Sequence, residues 1–231
     1  MEQLPLAVRL RDTARLDSFV PGRNREALES IGAGSRTTPK VLWLWGRPGT
    51  AKTHLLQGAC AAVAERGGSA SYVDLSEAEP GWLEGCENLD LACLDGIDSV
   101  AADAPWNEAI FRLYTLMQDG PGRLCVSSTT PPAALDFRLP DLRSRLLAAS
   151  VHQLQELDES DQAEALRLRA SRRGLELASE GALYLVHRLP RDMHSLCAVL
   201  DRLDEASLAA QRRLTVPFLR AALEAQGFGA A

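Results

Sequence analysis

Aromatic residues make up only 5% of the 231-residue chain, and it has just four histidines, none in an HExxH arrangement, so a zincin-type site is excluded. Cysteine is sparse and odd in number: Cys60, Cys86, Cys93, Cys125 and Cys197 are widely spaced and flanked mostly by apolar residues. That spacing excludes a zinc knuckle, a CxxC redox motif and a secreted disulfide framework, and it predicts buried, reduced thiols. Long hydrophobic runs are missing too. The longest aliphatic and aromatic run, Val41–Trp45, falls far short of the roughly 20 residues needed to cross a bilayer, and no signal-peptide core opens the sequence. A cytoplasmic protein with no membrane partner is expected. Positive charge is also in deficit, with 25 Lys and Arg against 31 Asp and Glu and a net charge of −6, which counts against a dedicated duplex-DNA binder. There is no internal repeat and no low-complexity tract.

Ample core-forming material remains, at 46% hydrophobic and 24% charged residues. Residues 1–16 read as an extended tail with no sustained period. Past Pro21-Gly22, Asn24–Ile31 suits a helix, and then strands and helices alternate. Val41–Trp45, Ala70–Leu75, Leu89–Leu94, Leu124–Ser127 and Val151–Leu154 read as strands, with helices over His54–Arg66 and Trp106–Gln118. Such alternation predicts an α/β fold with a five-stranded parallel sheet between helical layers, over residues 17–156. Ligands of such sheets sit at the carboxyl ends of the strands. From 157 to 231 the pattern is all-helical. Asp158 and Ser160 can cap a helix ending at Gly174, Ser179 opens a second, Pro190 a third, and Thr215 caps a last helix stopped by Gly227.

The first strand runs into Gly46-Arg47-Pro48-Gly49-Thr50-Ala51-Lys52-Thr53-His54, a GxxxxAK[ST] variant of the phosphate-binding loop. Backbone N–H groups and a helix N-terminus can wrap phosphates, Lys52 supplies positive charge, and the Thr53 hydroxyl can ligate magnesium. Ala51 stands where glycine is usual, which predicts retained but altered nucleotide affinity. The third strand ends Leu91-Ala92-Cys93-Leu94-Asp95-Gly96, so Asp95 is the candidate magnesium-holding carboxylate. A second acid that would activate water is absent at Gly96, and Asp98 reads as a solvated or capping carboxylate. Nucleotide binding with poor intrinsic hydrolysis is expected.

Lys52-Thr53-His54-Leu55-Leu56 and Leu139-Pro140-Asp141-Leu142-Arg143-Ser144-Arg145-Leu146 resemble the DnaA branch of the AAA+ proteins. Trp106–Tyr114 and Ala206–Phe218 resemble, within it, the Hda family of DnaA-related regulatory inactivators. The resemblance spans nearly the whole chain and implies an AAA+ base with a helical lid, without the DNA-binding domain that DnaA carries. It further implies ADP or ATP as ligand, with Mg2+, and DnaA and the polymerase sliding clamp as partners, with DNA reached only through the clamp and self-association left open. By position, Gln3-Leu4-Pro5-Leu6 resembles the clamp-binding peptide, Phe19-Val20-Pro21 the adenine-pocket segment and Thr129 the sensor after the fourth strand. Arg145 resembles the finger that reaches a neighbour's nucleotide, and His194 or Arg191 the lid residue that senses phosphate. The rival expectation is a self-sufficient AAA+ ATPase such as a helicase loader.

Overall fold

The computed structural model describes residues 14–32, 39–190, 192–210 and 214–225. Gln3, Leu4, Pro5, Leu6 and Arg191 lie outside the described residues, and His194 lies on a helix without a described side chain. Two compact units form. Of the described residues, the first holds those up to Leu16 together with those from Arg23 to Gln155, and the second holds Asp17–Gly22 with those from Glu156 on.

In the first unit, strands β1 (Val41–Trp45), β2 (Ala70–Asp74), β3 (Leu91–Asp95), β4 (Arg123–Ser128) and β5 (Ser150–Gln153) make one sheet in the order β2-β3-β4-β1-β5. Every pairing is parallel. A parallel sheet must be covered on both sides, and β1, β3 and β4 accordingly read as nearly unbroken apolar runs. Alternation divides them between two faces. Val41, Trp43, Ala92, Leu94, Leu124 and Val126 pack with Ile110, Leu113 and Tyr114 of α3 (Ala104–Asp119) and with Leu142 and Leu146 of a later short helix. The opposite face, with Leu42, Leu44, Leu91 and Cys93, is buried beneath α2 (Lys52–Glu65), beside α1 (Arg25–Gly32).

Helix ends follow local chemistry. Asp103 accepts from the Trp106 N–H (3.0 Å) and caps α3 two residues earlier than the expected start, because Pro105 suits a first turn. The short helix α4 (Pro140–Leu146) is absent from the sequence reading: seven residues give too little period to announce a helix, although Pro140 fits its first position.

The second unit contains α5 (Glu159–Arg172), α6 (Ser179–Arg188), α7 (Met193–Ala210) and α8 (Val216–Ala225) around a separate core that includes Leu166, Leu185, Leu200, Leu203 and Leu219. Asp158 caps α5 through the Asp161 N–H at 2.9 Å. Arg169 and Arg173 reach Asp201 at 3.3 and 2.8 Å and tie α5 to α7. Pro190 lies outside α7, which begins at Met193. All five cysteines are free thiols, four buried and Cys197 half-buried. Among the described residues, no helix is long and apolar enough to cross a membrane.

Candidate nucleotide site

At the carboxyl end of β1 the chain turns so tightly that Gly46 has no room for a side chain. A Cβ there would lie 2.7 Å from the Leu154 carbonyl oxygen and 2.9 Å from Thr50 Oγ1. The loop closes on itself through Thr50, whose N–H and hydroxyl both donate to the Arg47 carbonyl, at 3.3 and 2.9 Å. Helix α2 follows, with no side-chain cap at its start. The Leu55 N–H is the first to find an acceptor at helical spacing (Ala51 O, 3.1 Å), so the N–H groups of Lys52 and Thr53 have none within the helix. Uncapped N–H groups at the positive end of a helix dipole suit a phosphate.

Ala51 takes φ +66°, ψ +28°, the one left-handed residue other than glycine among those described. The usual glycine is thus explained by backbone conformation. An L-residue there costs about 1–2 kcal/mol, partly offset by the roughly 0.4–1 kcal/mol that alanine saves in unfolded-chain entropy. Ala51→Gly is therefore expected to leave stability unchanged or raise it, by up to about 1.6 kcal/mol. Chemical denaturation showing a loss of that size instead would contradict the strain.

Lys52 Nζ donates to the carbonyls of Gly46 (2.6 Å) and Arg47 (3.0 Å), which holds the cation at the mouth of the loop. Burial pushes the Lys52 pKa below its ordinary range, and the carboxylates of Asp95 and then Asp98 push back. Incoming phosphates would add to that second effect, so the residue is poised for an anion.

Asp95, nearly buried at 8% exposure, closes β3 beside it and gathers three hydroxyl donors. Thr53 Oγ1 lies 2.6 Å and Tyr72 Oη 2.8 Å from Oδ2, and Ser127 Oγ donates to Oδ1. Burial, then the Asp95 charge, drives the Tyr72 pKa far up, so the phenol stays a donor. The Thr53 hydroxyl and Asp95 carboxylate form an adjacent pair of hard oxygen ligands, the donor set that magnesium takes beside phosphate oxygens. Tyr72 and Ser127 escaped the sequence reading. Ser127 left one signal, a polar residue in the otherwise apolar Leu124–Val126 strand; Tyr72 on the neighbouring β2 left none.

Gly96 follows Asp95 at φ +78°, ψ +44°, with no heavy atom nearer than 4.0 Å to where its Cβ would be. Space is open but the backbone is left-handed, so a glutamate installed there starts from a strain of about 1–2 kcal/mol. Asp98 is more than a solvated carboxylate, because it accepts from both the Thr129 N–H (3.0 Å) and the Thr129 hydroxyl. Thr129 therefore sits at the tip of β4 with both donors engaged.

Arg145 lies on α4, exposed, its guanidinium 4.9 Å from the Phe111 ring centroid and 5.8 Å from that of Tyr114 on α3. Among the described residues, the Arg143 side chain reaches only the Ala133 carbonyl, at 3.4 Å. Phe19 is buried, and Phe19, Val20 and Pro21 belong to the second, helical unit.

Residues 158–223 match the family model described as the lid domain of Hda. Among solved structures, domain III of the Thermotoga maritima replication initiation protein DnaA is similar with TM-score 0.76 and 19% identity, over 94% of this chain and 98% of that one. AMPPCP-bound DnaA from Aquifex aeolicus gives 0.69 and 20%, over 88% of this chain and 69% of that one. A DNA replication initiation factor gives 0.70 and 21%, over 84% of this chain but 65% of its own length. At these identities the likeness is one of fold, carried by the TM-scores.

Proposed function

We propose that this Hda-like, DnaA-related AAA+ protein is the trans-acting half of a composite active site, one that stimulates hydrolysis of ATP held by DnaA while it is bound to the DNA-loaded sliding clamp. The observation that carries the reading is the pairing of an Hda lid, residues 158–223, with a phosphate-loop site whose water-activating position is a left-handed glycine, Gly96. Such a site is built to hold a nucleotide and ill equipped to hydrolyse it. The chemistry then lies in what the chain offers a neighbour, and Arg145 on the exposed side of α4 is that group. A guanidinium delivered in trans neutralises charge on the transferring phosphoryl group, and comparable fingers are worth about 10³–10⁵ in rate. Gln3-Leu4-Pro5-Leu6 is the segment assigned to the clamp; tethering there raises effective concentration and confines the activity to clamp-loaded DNA in the cytoplasm.

In its own site the nucleotide is a structural ligand. Lys52 and the N-terminus of α2 would hold its phosphates, Thr53 and Asp95 would hold Mg2+, and Arg191 or His194 of the lid would sense the phosphate. Asp98 supports ADP over ATP, because a terminal phosphate gains no hydrogen bond from Thr129 until Asp98 releases it. Replacing Asp98 with alanine is expected to raise ATP affinity relative to ADP by about tenfold, the worth of one hydrogen bond to a charged group at 1.5 kcal/mol. Calorimetric titrations of both nucleotides with an unchanged ratio would remove Asp98 from this role.

The test of the whole reading is ATP turnover by DnaA with and without this chain, in the presence and absence of DNA-loaded clamp. Stimulation that needs both chain and clamp is expected. Rapid multiple turnover by this chain alone would favour a self-sufficient ATPase such as a helicase loader.

A further inference from the structure

Between β2 and β3 the chain presents a tryptophan to solvent. Trp82 is 54% exposed in the short 3-10 turn Pro80–Leu83, although its neighbours Leu83 and Cys86 are buried in the core of the first unit. The turn is held firmly: the Trp82 N–H donates to the Glu79 carbonyl at 2.9 Å, and the Trp82 carbonyl accepts from Cys86 Sγ at 3.6 Å. A large apolar ring kept in water on an anchored segment is the informative kind of exposure, and tryptophan leads the residues that dominate binding surfaces.

The segment's charge says what covers it. Residues 74–90 carry six carboxylates and no lysine or arginine. Four of the six are engaged: Asp74 by Ser76, Glu84 by Arg112 at 3.2 Å, Glu87 by the Gly85 N–H, and Asp90 by Ser69. Glu77 and Glu79, both exposed, have no side-chain partner among the described residues. Nucleic acid and anionic membrane would be repelled here. A guanidinium stacks on an indole face and pairs with carboxylates in the same plane, which an ammonium cannot match.

We propose that Trp82, with Glu77 and Glu79 exposed on the same segment, is a docking surface for an arginine-bearing segment of a partner protein. It does not rest on the reading of Arg145.

The test titrates the full chain with a short peptide carrying two arginines, and with its citrulline counterpart, following the Trp82 indole resonance and the dissociation constant. The arginine peptide is expected to shift that resonance and the citrulline peptide is not. Trp82→Ala should weaken binding by about 2- to 30-fold, the range for a cation–π contact from exposed to desolvated. The double change Glu77→Gln and Glu79→Gln should weaken it too and flatten its salt dependence. Trp82→Phe keeps a ring and should retain part of the affinity, and an unchanged melting temperature separates lost contact from lost fold. No shift by the arginine peptide, equal binding of the citrulline peptide, or full affinity in Trp82→Ala would each overturn the proposal.

Discussion

Arg145→Ala should remove the stimulation of DnaA turnover, a loss of about 10³-fold or more on the scale of other arginine fingers. On the barrier that is about 4 kcal/mol at the lower end. The same change should be nearly silent in the isolated chain. Arg145 is exposed, and its only described side-chain contacts are the faces of Phe111 and Tyr114. An exposed contact of that kind is worth about 0.5–1 kcal/mol, or at most about 2–4 °C in melting temperature for a chain of this size. Nucleotide binding should be intact. Arg143→Ala is the control, since the one side-chain contact of Arg143 among the described residues is with a carbonyl, at 3.4 Å. The measurement is clamp-dependent ATP hydrolysis by DnaA with each variant, beside a thermal melt. Full stimulation by Arg145→Ala would place the acceleration elsewhere and remove the central mechanism.

The second large effect is on the chain's own ligand. Lys52→Ala should weaken ADP and ATP binding by about 10- to 150-fold, which corresponds to the 1.5–3 kcal/mol of a hydrogen bond to a charged group. Lys52 has a second duty, since its ammonium bridges the Gly46 and Arg47 carbonyls and faces Asp95 and Asp98. Its loss therefore loosens the loop and leaves Asp95 with less compensating charge. Lys52→Arg retains the charge but brings a planar fork in place of a point donor, so it should recover only part of the affinity. Calorimetry of the three proteins decides the matter, and equal affinity in Lys52→Ala would end the phosphate-loop reading. The two substitutions separate cleanly: one spares the nucleotide and abolishes action on a partner, while the other acts on the nucleotide first.

The sequence by itself determined whatever depends on neighbours along the chain. Strand β1 was legible to the residue because five large apolar side chains in a row, bounded by Lys40 and Gly46, have no other stable home than a doubly covered strand. The phosphate loop was legible because its chemistry is contiguous, and the lid helices because caps such as Asp158 and apolar stripes repeat within a few turns. What only the tertiary structure decided is what sheet order brings together. Thr53, Tyr72, Asp95 and Ser127 are up to 74 residues apart and meet at one carboxylate because β3 pairs with both β2 and β4 while β1 feeds α2 alongside. The pairing of Asp98 with Thr129 and the stacking of Arg145 on Phe111 arise in the same way, across elements that no local period connects. Backbone handedness belongs to this second group as well. Nothing in the letters at 51 shows that an alanine has been driven to a positive φ; the closure of Thr50 on Arg47 and the start of α2 impose it.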